Sequence, residues 1–125
     1  MVFDKIRHEA VTSTPEEVVR QQFIDYLINT LHYPRNLINV ERQFVDNNSK
    51  KYRYDIVVYD TQCHPFILVE CKARGIKLTE EAFLQAVKYN KSLMARYIIL
   101  TNIDNTFCWV HNSGRYKKSL IPEYY

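Results

Sequence analysis

The stretch Tyr52–Arg74, YRYDIVVYDTQCHPFILVECKAR, constrains this chain more than any other part of it. Tyr52–Tyr59 is aromatic and β-branched, and Phe66–Ala73 is almost continuously apolar, so both runs read as strands. Between them, Asp60-Thr61-Gln62-Cys63-His64-Pro65 is polar and closes on a proline, which is turn chemistry. The pattern predicts an antiparallel hairpin. If Asp60 stands opposite Pro65, then Asp55 stands opposite Glu70. Lys72 shares the face of Glu70, because side chains alternate along a strand. A slip of one residue would put the two carboxylates on opposite faces, so this reading depends on the register.

Two carboxylates and an ammonium in an otherwise apolar hairpin are costly to bury unless they are paired or bound to a metal. One reading is structural: Lys72 forms an ion pair with Glu70 or Asp55. The other is chemical: Asp55 and Glu70 are hard oxygen ligands for Mg²⁺, and Lys72 stands beside an attacking water. The hairpin alone leaves both open.

The rest of the chain narrows the setting. With 125 residues, 46% of them hydrophobic, the chain reads as one folded domain over 1–125, with an arm or edge strand at 1–13 and a tail at 121–125. It has no apolar run long enough to span a membrane and no signal-peptide pattern at Met1–Ala10, which points to the cytoplasm and no membrane partner. Its three cysteines lack a C-x-x-C spacing and read as reduced thiols. Cys63, His64 and Cys71 fall short of the four ligands of a structural zinc site. A net charge of +3 permits a nucleic-acid partner without demonstrating one.

Ahead of the hairpin, Thr14-Pro15-Glu16-Glu17 has the form of a capping box, with Thr14 as N-cap and Pro15 at the first helical position. The helix is expected to run to about His32, burying Val19, Phe23, Tyr26, Leu27 and Leu31. Glu17 either closes the cap or supplies a third carboxylate to the site, and Arg20 lies one turn on. Leu37–Val45 alternates like a half-buried strand and joins Tyr52–Tyr59 through the polar turn 46–51. Lys50, Lys51 and Arg53 are either a solvated loop tip or phosphate contacts.

Beyond the hairpin, Thr79 is expected to cap a second helix whose apolar side is Ala82, Phe83, Ala86, Val87 and Leu93. Gln85 and Tyr89 are four apart and share one of its faces. Ala95–Thr101 then returns as a strand parallel to Phe66–Ala73, followed by Thr106–His111 and a short edge strand over Tyr116–Leu120. The fold class is therefore α/β (α+β): a mixed sheet in the order αβββαβ with a further strand, flanked by helices.

That order, with Asp55 on the second strand and Glu70-Cys71-Lys72 on the third, resembles the PD-(D/E)xK nuclease superfamily and its restriction-endonuclease-like fold. Tyr54 stands where the motif has proline. Gln85-Ala86-Val87-Lys88-Tyr89 is similar to the Q-x-x-x-Y motif of the RecB-like branch. Thr14–Gln21, TPEEVVRQ, resembles the opening of the N-terminal nuclease domain of type I restriction enzyme R subunits. In those enzymes the domain is attached to an ATP-driven motor. With two glycines and no P-loop pattern, this chain resembles a stand-alone version.

The resemblance implies a Mg²⁺-dependent endodeoxyribonuclease of restriction or repair type, with Mn²⁺ as an alternative ion. Asp55, Glu70 and the Cys71 carbonyl would bind the metal, with Glu17 auxiliary. Lys72 would act on the water or the transition state, and Gln85 and Tyr89 would position Lys72 or the backbone of DNA. Arg20, Lys50, Lys51, Arg53, Arg74 and Lys77 are the expected DNA-binding cations. The expected partners are DNA and a motor or specificity subunit, and cutting both strands with one site per chain would call for a homodimer. Two rivals remain: a DNA-binding module inactive without a partner subunit, and a structural or interaction domain built on buried ion pairs.

Overall fold

A computed structural model of the chain describes residues 2–4, 6, 9–11, 14–45, 49 and 51–124, without the side chains of 2–4, 9–11, 41–45 and 51–53. The first helix, α1 (Pro15–Asn29), starts as its sequence dictates: Thr14 Oγ1 accepts the Glu17 N–H at 3.0 Å, and Pro15 fills a position that needs no N–H. Its buried stripe is Val19, Phe23, Ile24 and Leu27, continued by Leu31 beyond the helix. The stripe centres on Leu27, which turns Ile24 inward and leaves Tyr26 at the rim, 38% exposed. The helix stops before His32, which adopts a left-handed φ of 66°. The Leu31 and Tyr33 N–H groups bond back to the carbonyls of Tyr26 and Leu27 at 3.1 and 2.9 Å, satisfying the last turn.

The main sheet has six strands in chain order: β3 (Ile38–Val45), β4 (Lys51–Tyr59), β5 (Pro65–Cys71), β6 (Tyr97–Thr101), β7 (Thr106–Asn112) and β8 (Arg115–Lys118). Neighbours are antiparallel except β5 and β6, which run parallel because α2 (Glu80–Leu93) crosses between them. The arm expected at the start forms two short strands, β1 (Val2–Asp4) and β2 (Glu9–Val11), which pair with each other as a separate sheet.

Alternation along the central strands sends side chains to two cores. Ile56, Val58, Ile67, Val69 and Ile99 pack with α1, while Val57, Leu68 and Ile98 pack with Ala86 of α2 and with Ala95. Each fully buried branched side chain contributes about 1.5–3 kcal/mol relative to exposure, so the continuous apolar runs stabilise a sheet covered on both faces. Ile121 and Tyr124 join the α1-side core, and the Tyr33 hydroxyl donates to the Pro122 carbonyl at 2.7 Å.

The hairpin keeps the predicted register where it matters. Ile56, Val57 and Val58 pair with Val69, Leu68 and Ile67, but a shift after Val58 puts Tyr59, not Asp60, opposite Pro65. The cause is Asp60 itself. Its Oδ1 accepts the N–H groups of Gln62 and His64 at 2.9 Å each, and its own N–H reaches the His64 carbonyl at 2.9 Å. That Asx-type turn draws Asp60 into the loop. The irregularity stays at the tip and leaves the Asp55 end unshifted.

β6 begins at Tyr97 rather than Ala95, because Asn90 holds Ala95. Asn90 Oδ1 accepts the Ala95 N–H at 2.8 Å, and its Nδ2 donates to the Ala95 carbonyl and the Tyr116 hydroxyl at 2.9 Å each. Asn90 thus joins α2 to β8 as well as to the start of β6. Replacing Asn90 with Ala leaves the Ala95 N–H and carbonyl buried without these partners, and the expected cost is about 2–4 kcal/mol in urea unfolding. Tyr116→Phe removes one bond only and is expected to cost about 1 kcal/mol.

Candidate active site

The predicted cluster forms where β4 and β5 stop pairing. Beyond the Ile56–Val69 pair, the Asp55 side chain takes over from the backbone ladder, and its Oδ2 accepts the Cys71 N–H at 2.8 Å. Its Oδ1 accepts from the Arg20 guanidinium at 2.8 Å. Arg20 also pairs with Glu17 and stands 3.6 Å from Glu16. The first turns of α1 therefore reach the same end of the sheet as the carboxylates of the hairpin.

A cleft of about 260 Å³ opens there. Glu16 and Arg20 border it from α1, Asp55 from β4, Glu70 and Cys71 from β5, Lys72 just beyond, and Tyr89 from α2. Tyr89 is held in place by Gln85, whose Nε2 donates to its hydroxyl at 2.9 Å. The Lys72 N–H bonds the Thr101 carbonyl at 2.9 Å, which anchors the backbone past the end of β5.

The two hairpin carboxylates differ sharply. Asp55 has a donor on each oxygen, whereas Glu70 Oε1 is buried and, among the described residues, has no hydrogen-bond partner. Burial, and then the negative charge of Asp55, push the Glu70 carboxyl well above its ordinary range, against a smaller opposing pull from Lys72. Glu16 is raised for the same reasons, burial first and Asp55 second. The Cys71 thiol is raised well above its usual value by burial and then by Asp55, which disfavours the thiolate.

The donor set suits a hard cation. A buried carboxylate oxygen without a partner, beside a second carboxylate, is electrostatically incomplete, and Mg²⁺ or Mn²⁺ prefers oxygen ligands of this kind. Among the described residues, no three side chains of Asp, Glu, His or Cys converge closely enough to hold an ion by themselves. Asp55 and Glu70 would need the Cys71 carbonyl, water or substrate oxygens to complete a coordination shell.

Placement refines the sequence reading residue by residue. Asp55, Glu70, Lys72 and Tyr89 border one cleft, with Gln85 behind Tyr89. Glu17, expected as an auxiliary ligand, turns instead to Arg20 and, at 3.4 Å, to Gln21; the α1 carboxylate at the cleft is Glu16. Arg20, expected among the DNA-binding cations, is 6% exposed, with its guanidinium engaged by carboxylates. The missed signal was the Glu16–Arg20 spacing of four, which puts both on one helix face. Arg74 is exposed but bonded to Asp104 at 2.8 Å, and Lys77 is exposed in the loop before α2. Lys50 lies outside the described residues, and Lys51 and Arg53 are placed on β4 by their backbone alone.

A six-stranded mixed sheet between two helices, with acidic and lysine side chains gathered at the end of its central strands, defines a nuclease-like α/β fold. Residues 15–123 match the family model described as Type I restriction enzyme R protein N terminus (HSDR_N), and the chain belongs to that family. The fold is similar to the fragment structure of a putative HsdR subunit of a type I restriction enzyme from Vibrio vulnificus YJ016, with a TM-score of 0.57 and 15% identity over 87% of this chain. The chain spans 23% of the length of that protein chain. No curated protein matches the sequence. Among the described residues, no helix is long and apolar enough to cross a membrane.

Two stability measurements test the electrostatics. Glu70 binds its proton more tightly folded than unfolded, so the native state loses stability as pH rises above the ordinary 4.5 toward the folded value. In metal-free buffer at neutral pH, Glu70→Gln is expected to melt roughly 3–6 °C higher than the native chain, with the difference closing by about pH 4. Arg20→Met, in contrast, leaves Glu17 and Asp55 buried without their cation and is expected to cost about 3–5 kcal/mol in urea unfolding.

Proposed function

We propose that this chain is a metal-dependent nuclease domain of the PD-(D/E)xK type, hydrolysing phosphodiester bonds in DNA in a restriction or repair setting. The observation that carries the reading is the buried, unpartnered Glu70 oxygen facing Asp55 beside Lys72. Both oxygens of Asp55 accept hydrogen bonds, whereas Glu70 Oε1 has no hydrogen-bond partner among the described residues.

In this reading Asp55, Glu70 and the Cys71 carbonyl hold Mg²⁺ or Mn²⁺, with Glu16 rather than Glu17 as the further carboxylate at hand. The ion, when bound, supplies Lewis-acid polarisation of the phosphate and lowers the pKa of water. The chain's own groups do the rest. Arg20 and the Cys71 N–H fix the Asp55 carboxylate so that it need not reorganise when substrate arrives. Lys72 brings positive charge to the cleft, where it orients the attacking water or steadies charge on the phosphate. Tyr89, held by Gln85, positions Lys72 or the DNA backbone from the α2 side. Lys77, and Arg74 where a phosphate competes with Asp104, would contact the strand without reading its sequence.

The family match supports a second reading, in which the domain cuts only together with a motor or specificity subunit. One experiment separates the readings: calorimetric titration with Mg²⁺ and Mn²⁺, in the absence and presence of DNA, with plasmid nicking assayed alongside. The native chain is expected to bind metal and nick. Asp55→Asn is expected to lose both, while Lys72→Met keeps metal binding and loses roughly 100-fold or more in rate. Metal binding without nicking selects the partner-dependent reading. Absence of metal binding even with DNA present would overturn the nuclease assignment in favour of a structural domain.

A further inference from the structure

A second concavity opens on the α2 side of the sheet, beside the carboxylate cleft. Phe83 of α2 and Phe107 and Trp109 of β7 line it, together with Leu100 of β6, Lys118 of β8 and Glu80. The Phe83 and Trp109 rings lie 4.2 Å apart, centroid to centroid, and those of Phe107 and Trp109 lie 6.2 Å apart. Lys118 Nζ stands 5.8 Å from the Phe107 ring centre. The space amounts to about 200 Å³, and Phe107 is 40% exposed at it.

The sheet register ties this groove to the cleft. Glu70 pairs with Leu100, and Leu100 pairs with Phe107. Directly paired residues present their side chains on the same face, so these three form one row across β5, β6 and β7. Adjacent strands are about 4.8 Å apart, so the Phe107 backbone lies roughly 10 Å from that of Glu70. Trp109 pairs with Lys118 on the same face, one step along the alternation.

We propose that this groove holds an unpaired nucleobase of a DNA strand whose phosphate lies in the carboxylate cleft. The inference rests on the nuclease reading and adds a substrate class to it: single-stranded or locally opened DNA. Aromatic rings offer a base a surface for stacking, and the cation beside Phe107 suits the adjoining phosphate. Glu80, also at the groove, turns that phosphate toward the Lys118 side. A paired base is stacked within its duplex and cannot enter a pocket of this size without leaving the helix.

Trp109 is the chain's sole tryptophan, so its emission reports on the groove directly. The full chain, in chelator to prevent cleavage, is titrated with a short oligothymidylate and with a duplex of equal length. The oligothymidylate is expected to bind more tightly and to quench Trp109. Phe107→Ala, and Phe107→Leu, which keeps the bulk but drops the ring, should lower oligothymidylate affinity roughly tenfold and leave duplex affinity unchanged. Lys118→Ala should flatten the slope of log affinity against log salt by about 0.7. Unchanged oligothymidylate affinity in folded Phe107 variants, absence of quenching, or absence of binding each overturns the groove assignment. Nicking assayed separately with metal keeps the two readings distinct. Nicking with ring-independent binding removes only the groove, whereas ring-dependent binding without metal-dependent nicking keeps the groove and removes the hydrolytic reading.

Discussion

A single carboxylate holds three elements of this molecule together. Asp55 of β4 accepts Arg20 of α1 on one oxygen and the backbone of β5 on the other. An ionised carboxylate moved into a protein interior without partners is strongly disfavoured, by several kcal/mol even after relaxation. The positions of Arg20 and the Cys71 N–H are therefore coupled to the burial of Asp55. The coupling sets where α1 lies relative to the sheet, since its second turn must bring Arg20 to the strand ends. It also explains why the β4–β5 ladder gives way there: a side chain occupies the donor that a strand carbonyl would otherwise take. Glu70 has no equivalent support for Oε1 among the described residues.

Much of this was legible in the sequence, and the reasons differ by residue. The hairpin register rested on setting Asp60 opposite Pro65, and Ile56–Val58 against Ile67–Val69 have the pairing that this register gives. The tip departed from it because Asp60 had a local alternative, bonding to the loop's own N–H groups. Periodicity located α1 but not its end, since the left-handed turn at His32 depends on backbone carbonyls finding donors, not on a glycine. Asn90 carries no mark in the sequence, because a buried amide has no periodic signature; its role appears only once Ala95 and Tyr116 are brought to it in space. Glu16 and Glu17 are adjacent in sequence, and the capping pattern drew attention to Glu17 alone; the backbone N–H of Glu17 closes the cap and its carboxylate pairs with Arg20, while Glu16 borders the cleft.

α2 joins the two concavities. Tyr89 borders the carboxylate cleft and Phe83 the aromatic groove, six positions apart on one rigid helix. Its anchoring at both ends, by the Thr79 cap and by Asn90, fixes the spacing between them. Glu16, Arg20, Asp55 and Glu70 bring charge to the cleft, and Phe83, Phe107 and Trp109 bring aromatic surface to the groove. The parallel seam between β5 and β6 is where these two surfaces meet.

The tight Asx-type loop at the far end of the β4–β5 hairpin leaves one cysteine in the open. Cys63 is exposed there, whereas Cys71 and Cys108 are buried, with burial raising both thiols and bringing Cys108 to about 12. A maleimide at neutral pH therefore meets a single reactive sulfur. It lies just before Pro65, the first residue of β5, which is five residues and roughly 17 Å along the strand from Glu70. The chain thus carries a natural attachment point for a fluorophore or a surface tether, on the side of the molecule turned away from both concavities.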